Sequence, residues 1–189
     1  SFLDILFNNN LYRIYFFIFL SILIFSFSYN NGIFWDNVLF VSKIGNHLYE
    51  TNVFNWYLPD SIDNAHPPTL GFLVAILWKL FGHHLWVSHL VLIPFTVGLF
   101  YQLFKFAAFY TKPKYLTLFA FILIIADPTL FTQLVIVSPE VIQLFFFFLA
   151  INSILYQNYY LKIIGLFFLS IISYRGMMLC AGIFIFEVL

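Results

Sequence analysis

Two carboxylates are conspicuous for where they fall in the chain. Asp36 lies seven residues beyond the apolar run 11–29, in "IFWDNVLFVSKIGNHLY", and Glu140 opens another apolar run directly after "VSP". A carboxylate within hydrogen-bond reach of a hydroxyl can accept its proton as a new bond forms, the work of a general base. Each also has a structural reading. Asp36 suits the N-cap of a helix carrying Val38, Leu39, Val41 and Ile44, where the helix dipole stabilises a carboxylate. Glu140 suits the first turn of a helix after proline. Four further groups belong with them as candidate substrate contacts. Asp127 precedes Pro128 and equally suits a turn, and His66 is forced into an extended conformation by the two prolines of "DNAHPPTLGF". His89 follows shortly after, and Arg175 is the lone guanidinium late in the chain, a phosphate ligand or an interfacial anchor.

No metal signature accompanies these groups. His83, His84 and His89 lack the i, i+4 pair that places two imidazoles on one helical face. A divalent ion shared by Asp36 and Glu140 is compatible with the sequence, but no ligand spacing demands it and no cofactor is expected.

The elements that must position these residues are apolar. The chain of 189 residues is 63% hydrophobic and 8% charged, with 28 phenylalanines and no net charge. A soluble domain averages about 45–50% apolar and about 25% charged, so the solvent for this surface is lipid. The absence of a basic run argues against nucleic acid. One cysteine, Cys180, excludes an intrachain disulfide and reads as a buried thiol. A start without Met and an end inside "CAGIFIFEVL" suggest part of a longer membrane protein.

A membrane helix needs about 20 residues. Spans are expected near 11–29, 85–106, 115–131, 140–156 and 160–174, with a sixth apolar run beginning at Met177. The first is too long for a signal-peptide core, which runs about 7–15 residues. The segment 67–82, "PPTLGFLVAILWKLFG", is short for a span and carries Lys79, so it reads as a helix lying along the membrane surface. If it does not cross, Arg13, Lys105, Lys112, Lys114 and Lys162 share one side, cytoplasmic by the positive-inside rule. Asp36, Glu50, Asp60, Asp63, His66, Asp127 and Glu140 then share the other. If it crosses, Asp36 and Glu140 part company. Charge bias leans towards the first arrangement, and helix length and Lys79 decide for it.

An aspartate after the first span, "HPPTLGFLVAILWKLFG", a long span and then "VSPE" resemble the C-type (GT-C) membrane glycosyltransferases, in the branch of protein mannosyltransferases and lipid A aminoarabinose transferases. The resemblance covers about 30–175. It implies an all-α polytopic membrane protein with a transmembrane helical core and two interfacial helices in the first extracytoplasmic loop, 30–84. It implies transfer of a sugar from a polyprenyl-phosphate donor to a lipid, glycan or protein acceptor on the non-cytoplasmic face of a bacterial inner membrane. Asp36 matches the family's base and Glu140 its second acid, while the helix after "HPP" borders the donor cavity. The family commonly has Arg-Leu after "FG", where this chain has His89-Leu90. Arg175 matches a frequent basic position. His66, His89 and Arg175 are thus expected to attend the phosphate, whose growing charge needs a cation or several N–H donors. Two other classes stay open: a transporter, which requires ionisable groups near the middle of spans, and a non-catalytic membrane scaffold.

Overall fold

The computed structural model describes residues 2–62 and 66–188. Asp63, counted above with the acids of the first loop, lies outside them. The described residues form helices joined by loops, with no strand among them. In order they form α1 (Phe2–Asn8), α2 (Asn10–Ser28), a π-helical segment (Val38–Lys43) running into α3 (Ile44–Glu50), and α4 (Thr69–Phe81). There follow α5 (Leu85–Leu90), α6 (Leu92–Tyr110), α7 (Lys114–Ile125), α8 (Pro128–Val135), α9 (Pro139–Leu155), α10 (Tyr159–Ile172) and α11 (Tyr174–Val188).

Two stretches are long and apolar enough to cross a membrane: Asn10–Ser28, and Leu85–Tyr110, which joins α5 to α6. A third passes only if α7 and α8 count as one span bent by 65°. The expected span at 115–131 is therefore broken near its end. Pro128 has no N–H to continue the ladder, and the Asp127 carboxylate instead accepts the backbone N–H of Leu130 at 2.9 Å, capping a new helix. Helices α9 and α10 occupy the expected positions 140–156 and 160–174, but with 17 and 14 residues they are shorter than the roughly 20 that a crossing needs.

α6 and α9 form the centre. α6 packs on α2, α7 and α9, and α9 packs on α6, α10 and α11. Phe17 of α2 is fully buried among Phe100 and Phe104 of α6 and Phe121 of α7, with ring centroids 5.4–6.3 Å apart, tilted or edge-on as aromatic quadrupoles prefer. One polar contact crosses this core. The buried Asn152 amide donates to the Gln102 backbone carbonyl at 2.7 Å and to its side-chain oxygen at 2.8 Å. Such a bond glues helices where hydrophobic exclusion cannot.

The bundle has a basic end. Arg13 donates to the carbonyls of Leu6 and Phe7 and lies over Phe104. Lys105 lies over Tyr156, Lys114 pairs with Asp4, and Lys162 lies over Tyr159 and pairs with Glu187. Asp36, Glu140 and Arg175 lie at the opposite end, beyond the far ends of α2 and α10 and at the start of α9.

α4 runs across that second end instead of along the bundle. At its start the Thr69 hydroxyl donates to the Ile171 carbonyl at the far end of α10. After its end the chain enters α5, where His89 Nε2 meets the Asn31 carbonyl, just beyond α2, at 2.9 Å. Thirteen residues span about 20 Å, against a hydrocarbon core of about 30 Å. α4 lies directly on α3. At Gly71 an added Cβ would sit 2.5 Å from Ile44 Cγ2 and 3.1 Å from the Gly45 nitrogen. Helices therefore stand at both places expected for the interfacial pair.

Candidate functional site

The loop after α2 delivers Asp36 through a strained turn. Trp35 has φ +55°, a left-handed conformation unusual for an aromatic residue. A non-glycine residue there costs about 1 kcal/mol or more and is retained where the surroundings over-determine it. The Asp36 carbonyl then accepts the N–H groups of Leu39 at 2.9 Å and Phe40 at 3.2 Å, opening the π-helical segment. Widened turns of this kind are frequent at functional sites. The capping role open to Asp36 goes unused: Asn37 is the residue at the cap position, and it makes no side-chain cap bond. The Asp36 side chain makes no hydrogen bond or ion pair among the described residues and lies exposed at a cavity mouth.

That cavity measures about 490 Å³ and brings together Asp36, His66, Glu140 and Arg175. His66 is placed by ring contacts, 4.9 Å from Phe40 and 5.0 Å from Tyr174. Glu140 stands in the first turn of α9, directly after Pro139. Arg175 stands in the first turn of α11, its Nη1 3.5 Å from Glu140 Oε1. The guanidinium is 76% exposed, so the pair is weak and both partners stay available to a ligand. Ser173, between α10 and α11, fixes this corner. Its hydroxyl donates to Gln143 Oε1 at 2.6 Å and accepts the Gly176 N–H at 3.1 Å, acting as the N-cap of α11.

Two candidates lie elsewhere. His89, expected at the phosphate, is 3% exposed and held by the Asn31 carbonyl. It borders a separate void of about 10 Å³ with Ser21, Ser28 and Thr96, room for about one water at most. His89 thus lies apart from the polar cavity, and its ring pins the end of α2 to α5. Asp127 caps α8 and borders a different, apolar groove. Its turn role is the one realised, and it makes no contribution to the polar cavity.

Three cavity residues carry no sequence signal of their own. Gln133 of α8 and Gln143 of α9 are neutral amides, and Ser173 is one serine among many. Gln133 is notable because its Oε1 is buried and lacks a hydrogen-bond donor among the described residues. A buried acceptor without a donor costs about 1–3 kcal/mol, so a ligand that brings a hydroxyl or N–H is favoured there. Among the described residues no group of three or more His, Cys, Asp or Glu side chains is placed to hold a metal ion.

The fold and site define an all-helical chain with two or three helices able to cross a membrane and a polar cavity at one end of the bundle. Comparison with family models, with curated proteins and with solved structures finds no match.

Proposed function

We propose that this protein is a membrane glycosyltransferase of the C-type class. On this reading it moves a sugar from a polyprenyl-phosphate carrier to a hydroxyl-bearing acceptor on the non-cytoplasmic face. One observation carries the reading: Asp36, His66, Glu140 and Arg175, drawn from four separate segments, line a single cavity at the end of the bundle opposite Arg13, Lys105, Lys114 and Lys162.

In the reaction the acceptor oxygen attacks the anomeric carbon as the bond to the lipid phosphate breaks, inverting the centre. Asp36, whose side chain makes no hydrogen bond or ion pair among the described residues, takes the acceptor proton. Arg175 stabilises the charge growing on the departing phosphate. Glu140, close enough to Arg175 to hold its head group, orients that guanidinium and a sugar hydroxyl. His66 borders the same space. No metal is needed for a single displacement with phosphate as leaving group.

The transporter alternative would require a path of ionisable groups along the spans. The buried polar contact between the central helices is the neutral Gln102–Asn152 pair. The test is turnover: the intact protein in membranes, offered polyprenyl-phosphate sugars of several kinds together with membrane-derived acceptors. Release of free polyprenyl phosphate is expected for at least one sugar. No release across the panel would sink the proposal.

A further inference from the structure

Asn31 joins the two segments of chain that carry the cavity's carboxylates. Its backbone carbonyl accepts the Nε2–H of His89 in α5 at 2.9 Å, and its side-chain amide donates to the Val135 carbonyl at 3.1 Å. A carbonyl only accepts, so the proton of the His89 ring at this contact sits on Nε2. Val135 is the last residue of α8, where the final carbonyls have no partner within their own helix. The Asn31 amide satisfies one of them. Asn31 stands five residues before Asp36, and Val135 stands five residues before Glu140. The first segment supplies Phe34, Trp35 and Asp36 to the polar cavity, and the second supplies Gln133, Ile136 and Glu140. The two hydrogen bonds therefore form a bridge from α5, through the loop after α2, to the opposite wall of the cavity.

We infer that His89 and Asn31 are positioning residues that hold the Asp36 wall of the cavity at a fixed distance from the Glu140 wall. Their effect on turnover rests on the reading of Asp36 as the base. The anchor is firm, because His89 is 3% exposed and its helix runs on into α6 at the centre of the bundle. The loop needs such an anchor. Trp35 keeps φ +55°, a conformation that persists only where the chain around it is held. Beyond Trp35 the Asp36 carbonyl is bound by the N–H groups of Leu39 and Phe40. Before it, Gly32 has open space where a side chain would stand, so packing at that position does not hold the loop. The hold on that side falls at Asn31. Neither Asn31 nor His89 lines the cavity, so both act through the carboxylates and not on a ligand. Misplacing a reacting group by about 1 Å can cost about 10²-fold in rate.

The experiment uses the intact protein in lipid nanodiscs, in a Cys180→Ser background, with spin labels on cysteines at the exposed positions Phe34 and Thr132, one on each wall. Asn31→Ala removes the amide and keeps the backbone carbonyl. His89→Leu removes the ring donor, and His89→Gln restores an N–H close to the place of Nε2. Asn31→Ala and His89→Leu should each replace one narrow label-to-label distance distribution by a broader one, and His89→Gln should keep the narrow one. In the unlabelled proteins the first two should lower single-turnover release of polyprenyl phosphate about tenfold or more, with donor affinity within about threefold of wild type. The side chain of Asn31 is exposed, so Asn31→Ala remains informative if His89→Leu does not fold. An unchanged distribution in Asn31→Ala, a His89→Gln protein as broad as His89→Leu, or donor affinity falling as far as turnover would overturn the inference. Distances are read without any sugar transfer. Broadening as expected in a protein whose wild type is silent on every donor would sink the transferase reading and leave the bridge standing.

Discussion

Arg175 Nη1 lies 3.5 Å from Glu140 Oε1, joining the first turn of α11 to the first turn of α9 across the mouth of the polar cavity. Both residues are within reach of solvent, so the contact matters less for stability than for aim. A guanidinium held by one carboxylate oxygen keeps its other N–H groups for a phosphate.

Arg175→Ala is therefore expected to change thermal stability little, by less than about 1 kcal/mol. It should weaken binding of polyprenyl phosphate about tenfold or more through loss of charge-assisted hydrogen bonds. Arg175→Lys should recover part of that loss but lack the bidentate geometry. Denaturation and lipid titration of the same preparations check both halves. A large stability loss with unchanged lipid affinity would make Arg175 a structural anchor.

The corner that carries Arg175 depends on Gly176. An added Cβ there would sit 2.0 Å from the Leu169 carbonyl oxygen, and backbone cannot step aside as a flexible side chain can. Gly176→Ala should destabilise the protein by about 1–3 kcal/mol through overpacking. It should also displace Arg175. A melting temperature equal to wild type would contradict this packing.

Asn152→Leu should cost about 1–2 kcal/mol, because it strands the Gln102 side-chain oxygen in the core. The double variant with Gln102→Leu should recover part of the loss, since removing both polar partners leaves nothing unpaired. A double-mutant cycle in detergent or bilayer measures the coupling. Strict additivity would show that the two side chains do not support each other.

If α4 lies across one end of the bundle, the two segments flanking it face the same side of the membrane. In a Cys180→Ser background, single cysteines at Asn52 and His84 should react with an impermeant reagent from one side, and a cysteine at Lys112 from the other. Opposite reactivity of Asn52 and His84 would mean that α4 crosses.

Much of this architecture is legible in the residues. Continuous apolar runs with polar boundaries place α2 and α6 within a few positions of the expected spans, because length and hydropathy alone decide such helices, whereas α9 forms where expected but is too short to count with them. Pro67 and Gly82 bracket α4 as boundary residues do. The break at Asp127–Pro128 is visible as a dipeptide, but its 65° bend depends on how α8 settles against α2 and α9. The site divides in the same way. Asp36 and Glu140 are conspicuous because charge is scarce in this chain. His89 looks equally available, and only the position of the Asn31 carbonyl reveals that its ring is already engaged. Gln133, Gln143 and Ser173 are silent in sequence because neutral polar residues acquire meaning only from the cavity they line.

On the proposed reading the Asp36 carboxylate accepts the acceptor's proton in a cavity that binds a lipid-linked sugar. Asp36→Asn keeps shape and hydrogen bonding but removes the base. The most direct measurement compares donor binding and single-turnover release of polyprenyl phosphate in wild type and this variant. Donor affinity is expected within about threefold of wild type, with turnover lowered by about 10²-fold or more. Unchanged turnover in Asp36→Asn, with wild type active on the same donor, would contradict it.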